Sequence, residues 1–364
     1  LMNEHSLGYR IHIDFILLSL IFILCMCGLI VLYSASGQNI DIVYSQATKL
    51  FIAILCMILV AQVPPANLNR LCLLLYLFGI ILLLLVAAFG DVGKGAQRWL
   101  DLKILRFQPS ELMKIAVPII VSSYLSSKFL PPKFLRIVLS FVFIIVPVVL
   151  IAQQPDLGTA LLVAIAGFSV IFIAGLSWRY LLSIFIISAL SVMPLWHFMR
   201  EYQKQRVLTF LDPEKDPLGA GYHIIQSKIA IGSGGFYGKG WLNGTQSHLE
   251  FLPERSTDFI FAVLCEEFGM FGVLVILSIY SLIIFRALYI AYNAQDAFRQ
   301  LLAGGITLSF FVYIFVNIGM VTGQLPVVGI PLPLISYGGT SIVTLMAGFG
   351  ILMSIHTHRK FLKR

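Results

Sequence analysis

The sequence predicts an all-α polytopic membrane protein with about ten transmembrane helices and one long extracytoplasmic loop. Three observations carry that prediction. Hydrophobic residues make up 59% of the chain and charged residues only 12%, about half of what globular domains carry, and the mean hydropathy is +0.93. Apolar runs of about 20 residues, the length that crosses roughly 30 Å of hydrocarbon, recur ten times. The basic residues behind the formal net charge of +8 are dispersed between those runs. That dispersal excludes a nucleic-acid surface and suits loops that lie beside anionic membrane lipid. Residues 1–364 read as a single membrane domain, with a long loop at about 199–257 inside it.

Taken in order, the spans fall at about 15–35, 45–63, 71–89, 109–127, 135–152, 158–176, 180–198, 258–289, 301–323 and 336–356. The first resembles a signal peptide, with Ser34-Ala35-Ser36 as a cleavage-like site, but its apolar run is too long and nine spans follow, so it reads as an uncleaved span. The five cysteines sit in or beside apolar segments with no CxxC pair and read as small packing residues. An even number of spans puts both termini on one side. Arg10, Arg70, Lys128, Lys133, Arg136, Arg179, Arg286, Arg299 and the tail Arg359, Lys360, Lys363 and Arg364 fall there, so that side reads as cytoplasmic. The opposite side holds the 90–108 and 199–257 loops, which also carry Lys and Arg and so invite a ligand explanation.

The long loop is aromatic and Gly-rich. Its segment GYHIIQSKIAIGSGG has the spacing of a short helix at the interface. The following GSGGFYGKGWLNG lacks the phosphate-binding pattern and reads as a turn that lets backbone pack closely on the membrane domain. The chain shows no G-x-S-x-G elbow, and its histidines read as tail charge and loop packing instead of zinc ligands.

Ionisable groups at membrane depth are expensive and so mark candidate sites. Asp258 stands where the long polar loop meets an apolar span, and either caps a helix or acts on a substrate at the membrane surface. In RFQPSELMK, Pro109 suits a first helical turn, and Glu111 and Lys114 share a face three residues apart. They form a structural ion pair or line a polar cavity with Arg98 and Trp99 at its rim. Asp156 in AQQPDLGTA is placed to cap the next helix. GQLPVVGIPLPLISYGGTS is a Pro- and Gly-broken hairpin, which at this depth must be buried or line a cavity. All four features fall on the same predicted side, so one cavity could collect them.

The motifs LYSASGQ, RFQPSELMK, QQPDLGTA, FLPERSTDFIFAV and LPVVGIPLPLISYGGTS, in that order over essentially the whole chain, resemble the SEDS family (shape, elongation, division and sporulation), and VVGIPLPL before SYGG resembles its elongation (RodA) branch. Ser256 departs from the pattern, standing where relatives commonly carry His. The resemblance implies a peptidoglycan glycosyltransferase of the cytoplasmic membrane, polymerising lipid II on the outer face beside a class B penicillin-binding protein. It implies Asp258 as the essential acid, and Glu111, Lys114 and Trp99 as site residues.

In such a reaction a sugar 4-hydroxyl attacks the anomeric carbon of a donor and a polyprenyl pyrophosphate leaves. A carboxylate serves as general base and nearby cations stabilise the leaving group. Asp258 fits the base, and Arg255, Lys114, Arg98 and Lys228 are candidate pyrophosphate partners. At a helix N-terminus an ionised Asp258 would equally suit a divalent metal, Mg or Mn, bridging the pyrophosphate. Two rivals from other classes stay open: a flippase for the lipid-linked precursor, which would place its groups near the midplane of repeated halves, and a non-catalytic scaffold for the penicillin-binding protein.

Overall fold

The fold follows from hydrocarbon-length apolar runs that must satisfy every backbone group internally, which helices do. In the computed structural model, residues 11–93, 96–101, 106–199, 201–215, 220–245 and 254–358 are described. Arg10 and the basic tail from Arg359 lie outside them.

Among the described residues, ten long helices overlap the ten predicted runs: α1 (Phe15–Ala35), α2 (Ile40–Ala61), α3 (Pro65–Phe89), α4 (Pro109–Ser126), α5 (Phe134–Gln153), α6 (Leu157–Ile173), α7 (Trp178–Phe198), α10 (Ile260–Tyr292), α11 (Ala297–Val321) and α12 (Thr340–Thr357). Seven of them are long and apolar enough to cross a membrane by length and composition. The three others, α4, α6 and α7, are shorter or more polar. Two further helices, α8 (Glu201–Leu211) and α9 (Ala220–Ser233), belong to the long loop. This is a nearly all-helical, multi-pass membrane protein.

Helix starts obey local rules. Pro109 opens α4, where its missing N–H costs nothing. Asp14, Asn39 and Asp156 cap α1, α2 and α6, their side chains accepting first-turn N–H groups. In the packing, α12 lies along α2, α4 against α3 and α6, and α11 against α6 and α10. Helix α7 stands apart, with no buried side chain among its described residues and Met193 86% exposed. Its Tyr180 meets Phe134 of α5 with ring centroids 5.8 Å apart.

Three features depart from expectation. The 90–108 loop is a small antiparallel ribbon of β1 (Asp91–Gly93), β2 (Ala96–Asp101) and β3 (Arg106–Phe107), with Asp91 opposite Trp99 and Leu100 opposite Phe107. Helix α10 is broken at Gly269, whose φ of 62° belongs to the left-handed region. The Gly-rich turn after α9 repairs the break. Lys239 N donates to Glu266 O (3.0 Å) and Gly240 N to Glu267 O (3.0 Å), while Met270 N donates to Gly235 O (3.0 Å). The expected close backbone packing of this turn is thus seen, and Lys239 Nζ adds an ion pair to the fully buried Glu266 (2.8 Å).

Third, the end histidines are not simple tail charge. His356 is buried 3.7 Å from Asp14, which Arg286 grips at 2.7 Å. His12 stacks on His358 with centroids 3.7 Å apart.

Candidate active site

A cavity of about 660 Å³ opens where the β-ribbon, α4, α6, α11 and the Pro/Gly hairpin before α12 meet. Its walls carry Arg98 and Trp99 from β2, Gln108, Glu111 and Lys114 at the start of α4, Asp156 and Thr159 at the start of α6, and Tyr313 from α11. The hairpin contributes Gly329 to Pro331, and Gly339 to Ser341 close the floor at the start of α12. Below it lies a second, apolar space of about 620 Å³ that shares Lys114, Leu162, Tyr313 and Ser341 and is walled by Ile306, Phe310, Leu345 and Phe349.

Elementary chemistry explains how these groups coexist in a buried setting. Lys114 Nζ meets Glu111 Oε1 at 2.7 Å one helical turn away, and its ammonium also lies 5.3 Å from the centroid of the Tyr313 ring. Glu111 Oε2 has no hydrogen-bond partner among the described residues. Asp156 is the expected cap, accepting from Thr159 N (3.2 Å) and Thr159 Oγ1 (2.9 Å), and it also accepts from Gln108 Nε2 at 2.8 Å. Arg98 Nε lies 3.9 Å from Asp156, and its guanidinium donates to Pro155 O. An anionic group entering this space would meet Arg98 and Lys114 with little competing water, where such interactions are strong.

Asp258 stands at the rim. Helix α10 begins with Phe259 as its N-cap, so Asp258 stands one residue before the cap position. Its Oδ2 lies 3.4 Å from where a Cβ on Gly329 would be, a glycine of the cavity wall. Tyr313 is within electrostatic reach of Asp258, Glu111, Lys114 and Asp156 together.

Of the eight residues singled out from sequence, five line one cavity and Asp258 edges it. The other two go elsewhere. Arg255 turns toward the α1–α2 connection, its guanidinium 3.4 Å from the Cβ position of Gly37. Lys228 is exposed on α9 beside Gly323, after the end of α11. Both lie on the long loop, whose path the packing of α9 on α10 decides.

Sequence reading passed over Gln108, Tyr313 and Asn317. Asn317 had a usable signal, because a lone amide in an apolar span must find partners. No group of three or more His, Cys, Asp or Glu that could hold a metal forms among the described residues.

The chain is similar to well-characterised proteins along its whole length. The family description FTSW_RODA_SPOVE, cell cycle protein, matches residues 15–361. The peptidoglycan glycosyltransferase MrdB of Escherichia coli K12 is 53% identical over 363 residues, covering 100% of this chain and 98% of that protein. The peptidoglycan glycosyltransferase RodA of Treponema pallidum is 31% identical, covering 95% of this chain and 98% of the relative.

Among solved structures, a peptidoglycan synthase complex that coordinates polymerization and crosslinking contains a chain matched with a TM-score of 0.82 at 33% identity. The match covers 94% of this chain and 97% of that one. The rod shape determining protein RodA of Thermus thermophilus gives 0.72 at 28% identity, covering 95% and 98%. With a family match spanning nearly every residue and full-length relatives at this identity, the chain belongs to the FtsW/RodA/SpoVE family of cell cycle proteins.

Proposed function

We propose that this protein is a peptidoglycan glycosyltransferase that polymerises lipid II into β-1,4-linked glycan strands at the outer face of the cytoplasmic membrane during cell elongation. The observation that carries the reading is the position of Asp258: its carboxylate lies against Gly329 in the hairpin wall of a cavity that Arg98 and Lys114 also line.

The acceptor's sugar 4-hydroxyl approaches Asp258, which takes its proton as the oxygen attacks the anomeric carbon of the donor. The bond from that carbon to the pyrophosphate oxygen breaks, and the undecaprenyl pyrophosphate leaves with the electron pair. Arg98 and Lys114 stabilise the charge it gains, and Trp99 offers an apolar face to a sugar ring. Glu111 keeps Lys114 charged and aimed into the cavity through their 2.7 Å contact. Asp156 holds Gln108 and the start of α6 in register beside them.

A divalent cation between Asp258 and the pyrophosphate is the second reading, and polymerisation abolished by a chelator and restored by Mg or Mn would favour it. With the basic loops inside, both termini face the cytoplasm and the cavity faces out. A class B penicillin-binding protein would crosslink the strands as they emerge.

The test is polymerisation of labelled lipid II by the full chain with its cognate penicillin-binding protein, the transpeptidase serine blocked. Native protein should give long strands. Asp258→Asn and Asp258→Ala, equally folded, should lose about 10²–10⁴ in rate, the usual worth of a general base. Strands persisting with both substitutions would remove Asp258 from the chemistry. Movement of lipid II between leaflets without strands would replace the enzyme by a flippase, and activity residing in the partner alone would leave a scaffold.

A further inference from the structure

We infer that Asn317, on α11, is a positioning residue for Asp258; the inference rests on the reading of Asp258 as the acting carboxylate. Asn317 is fully buried in the apolar core, where an amide is costly unless its hydrogens are used. Both are. Its Nδ2 donates to the main-chain oxygen of Asp258 at 3.0 Å and to that of Ile330 at 2.6 Å. Both partners are carbonyls, so chemistry alone requires the nitrogen to face them. Its Oδ1 has no hydrogen-bond partner among the described residues. The residue is therefore kept for its two donors, at the cost of leaving its acceptor uncommitted.

The two carbonyls belong to the two segments that must be held together. Ala262 N closes the first turn of α10 onto Phe259 O (3.0 Å), so the Asp258 carbonyl lies outside the helical ladder and Asn317 supplies its partner. Ile330 follows Gly329, the hairpin residue that the Asp258 carboxylate faces. One amide thus ties the main chain of Asp258 to the cavity wall opposite its own side chain. That fixes the main-chain position from which the carboxylate projects.

Neighbouring bonds run parallel to this one. Ser336 Oγ donates to Thr257 O (2.5 Å), and Tyr337 N donates to Ser256 O (2.9 Å). These two reach only the residues before Asp258. Asn317 bonds Asp258's own carbonyl and the Gly329–Ile330 wall at once.

The experiment compares Asn317→Leu, which removes both donors, and Asn317→Asp, which keeps the shape and supplies at most one donor, with native protein and Asp258→Asn. Lipid II polymerisation is measured with the full chain, the partner's transpeptidase being blocked. Thermal unfolding and detergent elution confirm folding. Displacing a reacting group by about 1 Å costs on the order of 10²-fold, so kcat should fall about 10–100-fold in both Asn317 variants. KM should stay within about twofold, and the acid limb of the kcat–pH profile should move. A residue that only packs the core would leave that limb in place in the folded variant.

If Asn317→Asp keeps native kcat, or if folded Asn317→Leu keeps it while Asp258→Asn is inactive, the positioning role is wrong and the reading of Asp258 stands. If Asp258→Asn itself polymerises at the native rate, the reading of Asp258 fails and the positioning role falls with it.

Discussion

The two ends of this bundle bury the same kinds of residue and do opposite things with them. At the end where the described chain termini meet, Asp14 caps α1, takes two bonds from Arg286 (2.7 and 3.0 Å) and has His356 at 3.7 Å. Arg299 pairs with Asp296 at 3.1 Å and donates to His358 O at 2.7 Å. The charges there are committed to one another. At the cavity end, Arg98, Lys114, Glu111 and Asp156 surround about 660 Å³ of open space, and Glu111 keeps an oxygen with no partner among the described residues. Buried charge alone is therefore weak evidence for chemistry. Space alone does not separate a site from a clasp, since about 650 Å³ also opens beside Asp296 and Arg299; what the cavity end adds is bonding capacity left over on Glu111.

That contrast predicts how substitutions divide: cavity-end changes should act on rate, and clasp changes on stability. The largest effect is Asp258→Asn, a loss of about 10²–10⁴ in kcat with the unfolding temperature unchanged. A drop in unfolding temperature matching the activity loss would place Asp258 among the structural charges. Next, Arg286→Met leaves Asp14 buried without its main partner and should cost about 3–5 kcal/mol of stability. The folded fraction should polymerise at the native specific rate, and a fall in that specific rate would break the division.

Lys114→Met is smaller, about 10²-fold in kcat/KM. Met preserves the packing of the stem, so the fold should survive. A variant with native kinetics would remove Lys114 from the leaving-group role.

The smallest effect concerns pH. Burial, with His12 and Arg299 beside it, holds the His358 imidazole below its ordinary 6.5. The folded protein then binds this proton less readily than the unfolded chain does. Its contribution is present above about pH 6.5 and is lost as pH falls through the lowered value. Unfolding temperature should decline between pH 7.5 and 5.5, and His358→Gln should flatten that decline. A steeper decline in the variant would assign the acid sensitivity to another group.

How far the site could be read in advance differs residue by residue. Pro109 and Asp156 were legible because a helix start is a local problem, settled within one turn by a missing donor or a capping oxygen. Glu111 and Lys114 were legible as a pair for the same reason of helical spacing. Arg98 and Arg255 looked equivalent in sequence, each a cation near a candidate motif. The β-ribbon brings one to the cavity, and the loop carries the other to Gly37. Glu266 and Glu267, adjacent acids inside the longest apolar run, were visible but carried no meaning until the Gly269 break and the turn that repairs it supplied partners.

The sequence by itself determined the class of the molecule, the approximate places of the long helices, the starts at Pro109 and Asp156, and the family motifs, because hydrophobic length and capping are properties of neighbours along the chain. Tertiary structure alone decided which charges share a space. Asp156, Asp258, Tyr313 and Gly329 come together only when α4, α6, α11 and the hairpin close on one another. That closure depends on side-chain packing between segments far apart along the chain, such as those of Glu111 and Gly329, and no local periodicity records it.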